Sequence, residues 1–247
     1  MPGQPHGGSP SIENPDYWWY VARSALLRSA LAGYIDRPRR VLDVGSADGP
    51  SVGWLRGDWT TVSLDLDPRG LAEGGVCGSA LALPFADESF DLVTAFDVIE
   101  HCEPESVVMN ELVRVLRPGG RLLISVPAYQ WAWSDHDVAN GHHRRYTRAR
   151  AVDAVQGVGL RVDRATYAFS SVFPLFAAER IARRVRQRVD GRRVTGPADV
   201  VAVPDLSPRV ERALLRLAKV DERLLANRDL PFGSSVFLAA TKPSGAR

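Results

Sequence analysis

The nine residues Val41 to Gly49, VLDVGSADG, join a short apolar run to a glycine-rich turn. A turn of this kind, followed by a helix start, presents backbone N–H groups to a ligand. Asp65 stands 20 residues beyond Gly45, in SLDLDP, at the expected end of the next strand. A carboxylate placed there accepts hydrogen bonds from both hydroxyls of a ribose, which suits an adenosine-containing cofactor. The nicotinamide fingerprint G-x-G-x-x-G fits poorly: Gly45-Ser46-Ala47-Asp48-Gly49-Pro50 lacks the second glycine and ends on proline.

Two further segments carry reactive side chains. Asp97-Val98-Ile99-Glu100-His101 follows an expected strand, and His101 is a candidate general base, since an unperturbed imidazole accepts a proton near neutral pH. The plainer alternative is a structural histidine at a helix start. The second segment, PAYQWAWSDHDVANGHHRRYTR from Pro127, holds Trp131, Trp133, Asp135, His136, His142, His143, Arg144, Arg145 and Tyr146. The paired arginines suit a phosphate or carboxylate, because a guanidinium binds such groups through two parallel hydrogen bonds. A solvated arginine-rich turn is the alternative. Asp135, His136 and His142 match no standard metal-ligand spacing, so no metal is expected.

The elements that must position these groups alternate. A helix over Asp16 to Gly33 precedes strands at Val41 to Val44, Thr61 to Leu64, Leu92 to Phe96 and Arg121 to Val126. A helix spans Glu105 to Leu116 and is stopped by Arg117-Pro118-Gly119-Gly120. Thr147 is the expected N-cap of a helix to Gly157, followed by strands at Leu160 to Ala168 and Ser235 to Thr241. Alternation of this kind gives βαβ units and a parallel sheet. Residues 171–231 form an insertion with helices near Leu175 to Val189 and from Pro208, where Ser207 is the expected N-cap. Tyr17, Trp18, Trp19 and Tyr20 span every face of the first helix; they either close a pocket, with Trp19 as the substrate-side candidate, or pack on the sheet edge.

Composition bounds the function. The 247 residues, 45% hydrophobic and 24% charged, are those of an ordered globular chain. The ten-residue leader MPGQPHGGSP reads as disordered and has no signal-peptide pattern, leaving residues 11–247 as one domain. Cys77 and Cys102 are too few for a disulfide framework or a four-cysteine zinc site. A net charge of +2 argues against nucleic acid as partner. The insertion, however, carries 13 Arg+Lys against 8 Asp+Glu. Its first helix is basic and amphipathic, consistent with peripheral contact of residues 173–189 with an anionic membrane face, or else a plain surface helix or dimer contact. The expected location is cytoplasmic, with that contact at the inner membrane face.

VLDVGSADG, GSALALPF from Gly78, FDLVTAFDVIEH from Phe90 and ELVRVLRPGGRLLISVP from Glu111 occur in an order that resembles the class I S-adenosylmethionine-dependent methyltransferases, and among them the broad type 11 group. The resemblance runs from about Asp16 to Thr241. It implies a Rossmann-like α/β fold with a seven-stranded, mostly parallel sheet, an antiparallel last strand and a helical insertion before it. It also implies S-adenosyl-L-methionine as cofactor. Gly45, Ser46 and Gly49 would line its methionine end, with Ala47 where relatives place glycine. Asp43 would orient the loop, Asp65 hold the ribose, and Ser79 with Ala80 border the adenine. Phe96 would flank the cofactor at the exit of the fourth strand. Trp133-Ser134, Asp135 or Asp137, and Gly141 to Tyr146 resemble a pattern found in a subset of the group. The implied reaction is direct displacement onto an O-, N- or C-nucleophile of a small-molecule or lipid-linked acceptor, with His101 or His136 as base. The alternatives are a non-catalytic cofactor-binding scaffold and a nucleic-acid methyltransferase.

Overall fold

Val41, Leu42 and Val44 are fully buried and place β1 (Arg40–Val44) between two partners inside a seven-stranded sheet. The computed structural model describes residues 14–45, 50–71, 73–190 and 206–244. The leader 1–10 and the candidate residues Ser46, Ala47 and Gly49 lie outside the described residues. Helix α1 (Trp18–Leu31) precedes β1, and β2 (Thr60–Asp65), β3 (Val76–Cys77) and β4 (Phe90–Phe96) follow it. Then come α2 (Glu105–Val115), β5 (Leu116–Pro127), α3 (Asp135–Ala139) and α4 (Arg148–Gly157). The chain continues through β6 (Arg161–Ala168), α5 (Phe173–Asp190), α6 (Pro208–Leu225) and β7 (Ser235–Thr241).

The strand order is β3-β2-β1-β4-β5-β7-β6, with β7 antiparallel to both neighbours and every other pairing parallel. The expected architecture is therefore present, including the antiparallel last strand. The central strands are mostly apolar because both faces are covered, as a parallel sheet demands. Leu26, Leu27, Ala30 and Leu31 of α1 cover one side, and Val108, Met109, Leu112 and Val115 of α2 join the same core.

Several boundaries differ for local reasons. Arg117-Pro118-Gly119-Gly120 does stop α2, at Val115, but the segment continues as the start of β5. Gly119, with φ +78°, donates to Lys242 O at 2.7 Å, and Lys242 N–H returns to Gly120 O at 2.9 Å. Ser207 occupies the cap position of α6, yet its side chain makes no capping hydrogen bond; Pro208 supplies the start instead. Thr147 caps α4 as expected, accepting from Arg150 N–H.

The two helices of the insertion have different surroundings. α6 packs on α1, where Ser29 Oγ donates to Glu222 O at 2.5 Å, and buried Asp221 accepts Ser171 N–H at 3.0 Å. α5 instead leaves Leu175, Ile181 and Val185 exposed. No helix among the described residues is long and apolar enough to cross a membrane.

Candidate active site

The strand order reverses between β1 and β4, so the crevice for a ligand opens beyond their carboxyl ends. At the end of β1, buried Asp43 accepts a 2.5 Å hydrogen bond from Thr94 Oγ1 on β4. Gly45 follows with φ +70°, and its N–H donates to Leu64 O at 2.7 Å. A Cβ at this position would overlap Val98 Cγ2. Glycine is thus required both by the left-handed backbone and by the close approach of the loop after β4. Gly45→Ala should lower thermal stability measurably and abolish saturable cofactor binding by calorimetry; native affinity in a folded Gly45→Ala protein would refute the role of this turn.

At the end of β2, half-buried Asp65 accepts Asp67 N–H at 2.9 Å. Burial raises its pKa by more than the backbone hydrogen bonds from Asp67 and Leu66 lower it. Further donors, such as a pair of ribose hydroxyls, would stabilise this carboxylate. Gly78 N–H donates to Asp65 O at 2.9 Å, which brings Ser79 and Ala80 beside the same strand end. Ala80 is buried, and Ser79 Oγ accepts Leu81 N–H at 3.2 Å, closing the turn. Phe96 ends β4 and meets the Trp54 ring at 6.0 Å, which adds an aromatic wall that sequence reading did not single out.

Three non-glycine residues with positive φ stand just past the ends of β4, β5 and β6: Asp97 (55°), Tyr129 (62°) and Phe169 (63°). Such backbone costs about 1–3 kcal/mol per residue and clusters where side chains must be aimed at a ligand. Asp97 pairs with Arg23 of α1 at 2.6 Å and accepts Ser125 Oγ at 2.9 Å. Arg23 lies over the Trp19 ring at 5.5 Å, and Trp19 stacks on Phe169 at 5.9 Å, nearly parallel. The first helix is thereby fastened across the ends of β4, β5 and β6.

Glu100 is completely buried, and neither of its carboxylate oxygens has a hydrogen-bond partner among the described residues. Burial, and then the nearby Asp97 carboxylate, push its pKa well above the usual range. Beside it the His101 and His142 rings meet edge to face at 4.5 Å. Burial among protein groups, followed by the charge of His142, lowers His101 to about 4. His142 Nδ1 lies 2.9 Å from Asp137 Oδ1, and Asp137 also accepts Arg145 Nε at 2.7 Å and Ser134 N–H at 2.8 Å. Burial alone would raise the Asp137 pKa; the His142 hydrogen bond and the Arg145 charge overcome that and hold it far below the carboxylate range.

Residues 42–124 match the family described as a methyltransferase domain. Over that segment the chain is similar to the class I S-adenosylmethionine-dependent methyltransferases of the type 11 group. A demethylmenaquinone methyltransferase of Beutenbergia cavernae is 38% identical over 108 residues, 40% of this chain and 45% of the relative. The chain spans about half the length of such curated relatives. Among solved structures, the [4+2]-cyclase SpnF aligns with TM-score 0.58 and 19% identity over 92% of this chain and 82% of its own. A putative sarcosine dimethylglycine methyltransferase from Galdieria sulphuraria aligns with TM-score 0.56 and 17% identity over 91% and 87%. At such identities the likeness concerns the fold.

On this framework the remaining candidates divide. Arg145 is buried, with Nε on Asp137 and Nη1 on Ala128 O at 3.2 Å. Arg144 donates to Cys102 O at 2.7 Å and Ile99 O at 3.3 Å and pairs with Glu103. Both guanidiniums therefore tie the loop after β5 to its surroundings, a different task from the anion binding that their type suggests. Tyr146 is 1% exposed and donates to Glu105 Oε1 at 2.5 Å, so it is a core residue and cannot meet a ligand there. Asp135 and exposed His136 lie on α3; the buried aspartate is Asp137, two residues on from Asp135. Trp133 follows a short 3-10 turn, half-buried. Arg23, Asp97 and Glu100 were not picked out from sequence, and Asp137 stood there only as the alternative to Asp135. Asp97 and Glu100 were at least inside a quoted loop, whereas Arg23 has no local signal in a chain with 29 arginines.

Proposed function

We propose that the protein transfers the methyl group of S-adenosyl-L-methionine to a nucleophilic oxygen, nitrogen or carbon of a small-molecule or lipid-linked acceptor. The observation that carries this reading is the placement of the Gly45 turn and the Asp65 carboxylate at the ends of adjacent strands, beside a strand-order reversal. The residues fit the cofactor: Asp65 toward the ribose, Ser79 and Ala80 toward the adenine, and Gly45 toward the methionine end. When bound, the cofactor supplies a methyl group already activated as a sulfonium.

The chain's own contribution is then chiefly alignment, worth up to about 7–11 kcal/mol in favourable systems. Arg23, Asp97 and Trp19 wall the acceptor side and exclude water from it. With its pKa near 4, His101 is neutral at pH 7 and takes up protons weakly. It is therefore a weak general base for an acceptor hydroxyl or amine. His136 is exposed on α3.

A lipid-linked acceptor is supported by the surface beside the loop after β5. Trp131 and Phe232 are exposed and both contact Phe173, at 6.2 and 5.7 Å between ring centroids. From there α5 continues with exposed Leu175, Ile181 and Val185 among Arg180, Arg183 and Arg184. That is the character of an interfacial helix on anionic lipid. The test is incubation of the purified protein with methyl-labelled cofactor and, separately, the soluble and membrane fractions of a host extract, with mass spectrometry of the labelled products. A labelled molecule in the lipid extract is expected. A label confined to the soluble fraction would refute the lipid linkage, and no label in either would refute methyl transfer.

A further inference from the structure

The loops after β4 and β5 are tied together beside the crevice: His143 N–H donates to Glu100 O at 2.7 Å, and Arg144 reaches Cys102 O at 2.7 Å. This fastening brings one donor atom each from Glu100, His101 and His142 within 4.8 Å of one another. We propose that these three residues form a divalent transition-metal site, a two-histidine, one-carboxylate set.

Two independent observations point to a cation. Glu100 is completely buried, and both of its oxygens are without a hydrogen-bond partner among the described residues. A buried carboxyl in that condition is destabilising unless a cation or donor meets it. Separately, His142 is oriented as metal-bound histidines are. Asp137 occupies its Nδ1 at 2.9 Å, which leaves Nε2 as the free ligand atom. A carboxylate behind a ligating imidazole fixes its tautomer and raises its basicity. Asp137 is itself held by Arg145 and Ser134, so the orientation is built into the loop.

The donor set selects the metal class. Imidazole nitrogens with one carboxylate suit zinc, iron or cobalt, and their mixed softness discriminates against calcium and magnesium. Bonds of about 2.0–2.2 Å require ligand atoms roughly 3–3.5 Å apart, so separations of up to 4.8 Å must close by up to about 1.5 Å. His101 is the solvent-exposed end of the 3-10 turn Ile99–His101, whose Ile99 and Glu100 are buried, so the closing movement falls on its side chain. Three protein ligands leave coordination positions open beside the crevice, where an oxygen of the acceptor can bind. The sequence spacing gave no hint of this set, because Glu100 and His101 are 42 and 41 residues from His142.

The test uses the full chain without an affinity tag, stripped with chelator and titrated with Co2+ by absorbance and with Zn2+ by calorimetry. One equivalent of each should bind. Glu100→Gln and His101→Ala should each weaken binding by about 100-fold or more, given that even outer-shell changes cost 10–100-fold. His136→Ala should leave it unchanged. His101→Ala removes an exposed ring, so its melting temperature should match the native value and keep the result interpretable. Absence of saturable 1:1 binding up to about 1 mM metal, native affinity in His101→Ala, or equal loss in His136→Ala would each overturn the proposal. Because the readout is metal affinity, the site stands or falls whatever the outcome of the methyl-transfer assay.

Discussion

Substituting Asp65 with alanine should weaken S-adenosylmethionine binding about 100-fold, read as the dissociation constant in calorimetry. A hydrogen bond to a charged group contributes about 1.5–3 kcal/mol, and two ribose hydroxyls on one carboxylate give about 3 kcal/mol at the lower end. Asp65→Asn, which keeps one acceptor oxygen, should fall between the native and alanine proteins. The pH dependence has a definite sign. Burial raises the Asp65 pKa in the free protein, so cofactor affinity should fall as pH is lowered through that raised value, where protonation removes the charge. Affinity unchanged in Asp65→Ala would end the ribose assignment while leaving the fold untouched.

Asp137→Ala should be the most destabilising single change at the site. It removes the carboxylate that faces Arg145 at 2.7 Å, both residues being buried, and leaves a guanidinium without its countercharge. Breaking a buried pair from one side typically costs about 3–5 kcal/mol. For a chain of this length that lowers Tm by roughly 6–20 °C. Asp137→Asn, which retains hydrogen bonding to Ser134 but not the charge, should lose less. The Asp137 pKa is depressed in the folded protein, so its contribution is complete above the unfolded carboxylate value of about 3.9 and is lost as pH falls toward the folded value. Acid unfolding of the native protein should therefore steepen below about pH 4, and Asp137→Asn should flatten that limb. A Tm within a degree or two of native in Asp137→Ala would show that the loop is held by other contacts.

The two predictions fall on different levels of the chain's organisation. Asp65 was visible in the sequence because its role depends on a local pattern: a strand, a fixed distance from the glycine-rich turn, and an acid at the strand end. The sequence left Asp135 and Asp137 as alternatives, with Asp135 the substrate-side candidate, since both stand in one polar run and nothing local says which is buried. The answer depends on α3, a five-residue helix too short for a periodic signal, whose capping box with Ser134 turns Asp137 inward. Arg144 and Arg145 show the same limit from the other side. Their residue type suggested an anion, but carbonyls from Ile99, Cys102 and Ala128 reach them first. Tyr146 looked like a ligand contact and is core, because the chain beyond Tyr129 turns back to pair Ala128 with Tyr146.

By itself the sequence determined the order of the strands and helices apart from β3 and α3, the antiparallel end of the sheet through family resemblance, and a candidate cofactor side from Asp43 to Ala80. These depend on apolar runs, turn residues and short spacings, all of which act between near neighbours. The acceptor side was decided by tertiary structure. There Arg23 meets Asp97 from 74 residues away, and Glu100 meets His142 across 42. Whether a charged side chain is buried, paired or left facing a crevice depends on which loops the sheet order places side by side. That order is set by packing both faces of the sheet, and no spacing along the chain encodes it.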